Sequence, residues 1–236
     1  MMRFRKAVLI IHGFTGNLYD NEYLMNYLEF DSKYDVYAKT LPGHNKGRFS
    51  KAKIDDWKDF VDNEVEELIA NGYKKIYVIG HSMGGILAAY VGAKYKEIKK
   101  IVFVNAAFDY MNFNNKKAFE GKNMPKYSYL LEKALRTSPF MLLEFKKMVE
   151  EGKDYLDNIT CPVLILRSTN DEIVPYNAGD LVYEKIKTPN NKKWITNIID
   201  ASHTVLRGEK KEVTSEYIRK FLRGGRIWKK NMKKEI

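Results

Sequence analysis

Residues 80–85 read Gly80-His81-Ser82-Met83-Gly84-Gly85, and they lie between two apolar segments of different character. Lys75-Ile76-Tyr77-Val78-Ile79 before them is short and β-branched, as a buried strand is. Ile86-Leu87-Ala88-Ala89-Tyr90-Val91-Gly92-Ala93 after them is a helix pattern lined with small residues. A Gly-x-Ser-x-Gly between strand and helix is the setting in which a serine hydroxyl stands exposed at the tip of a strained turn. Gly80 and Gly84 carry no Cβ, so strand and helix can approach closely at the bend. The N–H of Met83 opens the helix and is left without an intrahelical acceptor, so it can bind a developing negative charge. The competing explanation is a plain strand-to-helix turn whose serine caps the helix.

Outward from this turn, strand and helix patterns alternate. Arg5-Lys6-Ala7-Val8-Leu9-Ile10-Ile11 is a continuous apolar run, the mark of a parallel strand buried on both faces. It runs into the glycine-flanked loop His12-Gly13-Phe14-Thr15-Gly16, at the carboxyl edge of the expected sheet, where open α/β folds bind ligands. The N–H of Phe14 is placed there to be a second oxyanion donor. Asn17 to Phe30 predicts a helix, Tyr34 to Lys39 a strand ending in the turn Leu41-Pro42-Gly43-His44, and Ile54, Trp57, Val61, Val65 and Leu68 a long amphipathic helix stopped at Gly72. Further strands are expected at Lys100–Val104, Pro162–Ser168 and Trp194–Ile199, and further helices at Tyr176–Lys187 and Glu209–Leu222.

The alternation fails over about 107–158. That segment is helical in pattern and rich in methionine and aromatics, from Tyr110, Met111 and Phe113 to Phe140, Met141, Phe145 and Met148. A structureless loop of this length inside a domain is improbable. A helical cap inserted above the sheet edge is expected, either forming an adaptable apolar pocket for an acyl or aryl group or simply packing onto the core.

Composition sets bounds. The chain has 236 residues, enough for one α/β domain with a sizeable core. No apolar run approaches the roughly 18–20 residues that span a bilayer. Ala7 to Ile11 is too short for a signal-peptide core, so a cytoplasmic location is expected. Cys161 is the single cysteine, which precludes an intrachain disulfide, and its place before a strand suits a small buried hydrophobe. Net charge is +11, with six basic residues against one acidic from Arg223 onward. Loose association of this tail with an anionic surface is conceivable, but charge balance of this kind speaks to solubility rather than to a specific nucleic-acid partner.

A serine attacks an ester only with a base in reach and an acid to orient the base. Four histidines are present. His81 lies inside the turn, His12 is suited to bracing the loop it begins, and His44 follows the Pro-Gly turn. His203 falls just past the last strand, at the same sheet edge as Ser82. The order Ser, acid, His selects His203 as base and Asp171, in the loop after the preceding strand, as acid; Glu172 and Asp200 are its rivals. No metal-binding spacing and no phosphate or dinucleotide loop occurs, so neither metal nor cofactor is expected.

With these residues in place the chain resembles the α/β-hydrolase superfamily, and within it small bacterial carboxylesterases and the neighbouring monoacylglycerol lipases. The resemblance rests on His12-Gly13-Phe14-Thr15-Gly16, Gly43-His44, Asp56-Trp57, Gly80-His81-Ser82-Met83-Gly84-Gly85, Asn170-Asp171-Glu172 and Ser202-His203, in this order from Lys6 to Leu222. It implies a mostly parallel sheet flanked by helices, a small helical cap, catalytic residues Ser82, Asp171 and His203, and an oxyanion hole from the N–H groups of Phe14 and Met83. It implies hydrolysis of esters with an apolar acyl group through an acyl-enzyme. Monoacylglycerols or thioesters as substrates, and a non-catalytic binding protein on the same fold, are the alternatives. Asn45 departs from the family pattern, where glycine is common, and the basic tail lies outside it.

Overall fold

The computed structural model describes residues 5–44, 51–109 and 137–224. Six strands form one parallel sheet: β1 (Lys6–Ile11), β2 (Tyr34–Ala38), β3 (Ile76–His81), β4 (Ile98–Val104), β5 (Val163–Ser168) and β6 (Lys193–Ile198), in the order β2-β1-β3-β4-β5-β6. The expected strands are therefore all present, with shifts at their ends.

The continuous apolar runs are explained by burial on both faces. In β1, Ala7, Leu9 and Ile11 pack on one side while Val8 and Ile10 pack on the other. The first side is covered by α2 (Ile54–Ala70), α3 (Met83–Lys94) and α4 (Pro139–Tyr155), with Val182 of α5 (Ala178–Lys185) joining them. The second side is covered by α1 (Glu22–Glu29) and α6 (Lys211–Arg223), through Leu24, Leu28, Ile218, Phe221 and Leu222. Helix α3 is apolar around its whole circumference because it lies buried between sheet and neighbouring helices, with Met83 through Ala89 all inaccessible.

Of the segment expected to be a cap, residues 110–136 lie outside the described residues. The part that follows is a 17-residue helix, α4, begun by Ser138, whose Oγ accepts the N–H of Met141 at 3.2 Å, with Pro139 in the first turn. Met141, Met148 and Val149 of α4 are core residues. Gly152 lets the helix rest on Ile86 of α3, since a Cβ there would lie 2.5 Å from Ile86 Cγ2. Glu144 reaches across to α2, where its Oε2 accepts the N–H of Ile54, one of the donors a helix start leaves over. The basic tail beyond Gly224 also lies outside the described residues.

The strand order fixes where a site can form. From β1 the chain moves to β2 on one side, then crosses back to place β3 on the other. The loops leaving the carboxyl ends of β1 and β3 diverge at this switch point and open a crevice. Those two loops are His12–Gly16 and the Ser82 turn.

Candidate active site

The Ser82 turn is as tight as its sequence demands. Ser82 has φ 53° and ψ −120°, a left-handed conformation that costs a residue with a Cβ roughly 1–3 kcal/mol. Its main chain is held by three hydrogen bonds: its N–H donates to Val104 O at 3.0 Å, and its carbonyl accepts from Gly85 N at 2.9 Å and Ala107 N at 3.1 Å. A Cβ on Gly80 would lie 2.2 Å from Gly84 O, and one on Gly84 2.2 Å from Ile11 O, so both positions tolerate glycine alone. The Ser82 side chain makes no capping bond to α3, which disposes of the helix-cap explanation.

The loop after β1 lies directly against this serine. A Cβ on Gly13 would stand 2.9 Å from Ser82 Cβ and 3.4 Å from its Oγ. His12 braces the loop as its position suggested. Its Nδ1–H donates to Gly13 O at 2.8 Å and its Nε2 accepts from Leu41 N at 2.9 Å, which fixes the neutral tautomer. Burial, with the nearby His44, pushes its pKa down to about 4. Among the described residues, the N–H groups of Phe14 and Met83 donate to no acceptor. The Phe14 ring is stacked on Phe145 of α4 at 4.7 Å and meets His44 and Trp57 edge-on, so an aromatic wall stands beside the turn.

Asp171 and His203, 32 residues apart in the chain, form a buried pair. His203 Nδ1 lies 3.0 Å from Oδ1 and 2.9 Å from Oδ2 of Asp171. Asp171 Oδ1 also accepts the N–H groups of Ile173 and Val174, both at 2.8 Å, so the carboxylate is locked by its own loop. Burial disfavours the charged imidazole, yet the carboxylate of Asp171, helped by Glu172, outweighs it and raises the His203 pKa above its ordinary value. Asp200, the rival acid, is exposed and donates its N–H to Thr169 Oγ1. Among the described residues no hydrogen bond joins the Ser82 hydroxyl to the His203 ring. Contacts of this kind are often long before substrate arrives.

The loop carrying His203 is tied to the serine turn through the main chain. His81, the residue before Ser82, donates Nε2–H to His203 O at 2.9 Å, and the two rings lie 5.0 Å apart. Burial and the neighbouring His203 hold the His81 pKa at about 4, so it stays neutral. Asn105 donates to the same carbonyl at 3.0 Å, and Glu172 Oε2 accepts the N–H of His203 at 2.9 Å. None of these three contacts has a sequence signal. Glu172 is passed over because it is adjacent to Asp171, and Asn105 belongs to no motif.

The description "alpha/beta hydrolase fold" is that of the family model matching residues 6–137, more than half of the chain. The chain belongs to the α/β-hydrolase family. Among similar proteins, a carboxylesterase of Bacillus subtilis (strain 168) is 24% identical over 232 residues, covering 92% of each chain. A thermostable monoacylglycerol lipase of Bacillus sp. (strain H-257) is 27% identical over 210 residues, covering 84% of this chain and 82% of its own. Of solved structures, a monoacylglycerol lipase of Paleococcus ferrophilus superposes with a TM-score of 0.71 at 21% identity, over 92% of this chain and 93% of the other. A metagenome-derived lipolytic enzyme superposes at 0.77 and 20% identity, over 94% and 95%. These likenesses extend the shared fold to nearly the whole length of the chain.

The lone Cys161 is half-buried, and desolvation pushes its thiol pKa up to about 12, which disfavours the reactive thiolate. Among the described residues no cluster of candidate metal ligands occurs, and no helix is long and apolar enough to cross a membrane.

Proposed function

We propose that this α/β hydrolase is a serine carboxylesterase acting on carboxylic esters with an apolar acyl group. The observation that carries this is the buried Asp171–His203 pair, tethered through His81 to a strained Ser82 whose side chain has no structural task. His203 takes the Ser82 proton through Nε2 as Oγ attacks the ester carbonyl. Asp171 keeps the other proton on Nδ1 and steadies the imidazolium without itself taking a proton. The tetrahedral oxyanion receives the N–H groups of Phe14 and Met83. The alcohol leaves with the proton returned by His203, and water repeats the cycle on the acyl-enzyme.

The aromatic wall of Phe14 and Phe145, with Ile173 and Val174 packed beyond it, supports an apolar acyl group. Similarity to a carboxylesterase and to monoacylglycerol lipases of nearly full length supports ester hydrolysis, and the latter favour a monoacylglycerol as a second substrate class. The test is Ser82→Ala against a p-nitrophenyl ester series of increasing acyl length, with monoacylglycerols and matched thioesters alongside. Loss of turnover and of fluorophosphonate labelling together is expected. Turnover surviving in Ser82→Ala would remove Ser82 from the mechanism, and a flat acyl-length profile would remove the pocket.

A further inference from the structure

We propose that Asn105 and Glu172 hold the main chain of the catalytic histidine from its two ends and are positioning residues for the base, a role that rests on His203 being that base. His203 stands in a loop without strand or helix, so no ladder fixes its backbone. Its N–H is taken by Glu172 Oε2 at 2.9 Å, and its carbonyl receives Asn105 Nδ2 at 3.0 Å beside His81 Nε2 at 2.9 Å.

Asn105 is suited to the task because it is itself anchored on the sheet. It follows β4 directly, and its N–H donates to Leu166 O of β5 at 2.9 Å. Its Oδ1 accepts the N–H of Ser168 at 2.8 Å, and its second amide hydrogen goes to Ser168 Oγ at 2.9 Å. Both amide hydrogens and the amide oxygen are thus used, one hydrogen on the base loop and the rest on β5. The residue is buried and has φ 45°, a conformation asparagine tolerates better than most side chains. One side chain therefore fastens β4, β5 and the loop after β6 at a single point.

Glu172 works from the opposite end and also electrostatically. The groups facing the His203 imidazole are the Asp171 carboxylate, the Glu172 carboxylate and the neutral His81 ring. Asp171 orients the ring, while Glu172 adds a second negative charge and grips the backbone.

The experiment compares Asn105→Ala, Glu172→Ala and Glu172→Gln with the unaltered chain, at a temperature where circular dichroism shows each fully folded. Steady-state ester kinetics across pH and the rate of Ser82 labelling by a fluorophosphonate are measured. A reacting group displaced by about 1 Å can cost on the order of 10²-fold. Asn105→Ala and Glu172→Ala are therefore expected to lower kcat about 10–100-fold with KM nearly constant, and to slow labelling in parallel. Glu172→Gln keeps an acceptor for the His203 N–H but not the charge. It should retain most of kcat on the plateau while the acidic limb of kcat/KM moves to lower pH. Should Asn105→Ala not fold, Asn105→Asp keeps an acceptor for Ser168 N–H, loses the donor to His203, and carries the same expectation. Folded variants with unchanged kcat and an unshifted limb, or with only KM raised, would overturn the clamp. An unlabelled parent chain, or an active Ser82→Ala, would overturn the hydrolase assignment instead.

Discussion

Asp171→Asn replaces one carboxylate oxygen by an amide nitrogen, and the surroundings dictate which. Oδ1 already accepts two main-chain N–H groups, from Ile173 and Val174 at 2.8 Å. An NH2 cannot stand there facing two donors, so the amide oxygen takes that place. The nitrogen is then left in the Oδ2 position, 2.9 Å from His203 Nδ1. Although Oδ1 is also 3.0 Å from Nδ1, an Nδ1–H would be pressed against the amide hydrogens 2.9 Å away, so Nδ1 becomes the acceptor and the imidazole proton moves to Nε2. The proposed base, His203, then presents N–H, not a lone pair, to Ser82. Loss of the correct tautomer in a triad of this kind costs about 10⁴ in kcat, or roughly 5 kcal/mol of transition-state stabilisation. The loop keeps both of its main-chain bonds, so thermal stability should change little. The assay is p-nitrophenyl acetate hydrolysis at saturating ester, with the melting temperature measured beside it. A fall of less than about tenfold in a fully folded variant would refute the tautomer argument and the role of Asp171.

Gly84→Ala puts a Cβ 2.2 Å from Ile11 O and 2.7 Å from His12 O, both main-chain atoms that cannot step aside, so a loss of about 3 kcal/mol in urea unfolding is expected. Phe145→Ala removes the ring stacked on Phe14; kcat/KM should fall for long acyl esters while acetate esters are nearly unaffected, and an equal fall for both would count against an acyl pocket. On the proposed mechanism, activity should rise with pH through a value above the ordinary imidazole pKa, because His203 as base must be neutral and its pKa is raised. Stability should follow a different course at lower pH. His12 and His81, held at about 4 when folded, take up protons near 6.5 once unfolded, so their contribution is complete above about pH 6.5 and is lost as pH falls toward 4. Each is worth on the order of 3 kcal/mol over that range, and a melting temperature that did not drop between pH 6.5 and 4 would contradict their burial as neutral rings.

Much of the fold is legible because the inner strands are buried on both faces and show as apolar runs, β1 and β5 most clearly. Ser82 is legible for a related reason: close approach of strand and helix excludes every side chain but hydrogen at Gly80 and Gly84. Glu172 and Asn105 are not legible. Adjacency to Asp171 suggests that Glu172 faces elsewhere, but the loop turns so that both carboxylates reach His203, one at the ring and one at the backbone. Asn105 looks like any polar residue at a strand end, and only the loop that arrives 98 positions later gives it a task. The helical pattern after residue 138 is likewise visible as a helix. Its burial of Met141, Met148 and Val149 against the α3 side of the core is not, since amphipathic spacing names a face and not its neighbour.

Local chemistry thus settled the elements and the position of the strained serine, since apolar runs, helix spacing and the Gly-x-Ser-x-Gly turn are short-range patterns written in adjacent residues. The pairing of Asp171 with His203, the grip of His81, Asn105 and Glu172 on that histidine, and the aromatic wall of Phe14 and Phe145 were decided by the tertiary structure. Each joins segments tens of residues apart, and their meeting depends on strand order and loop direction, which no single stretch of chain encodes.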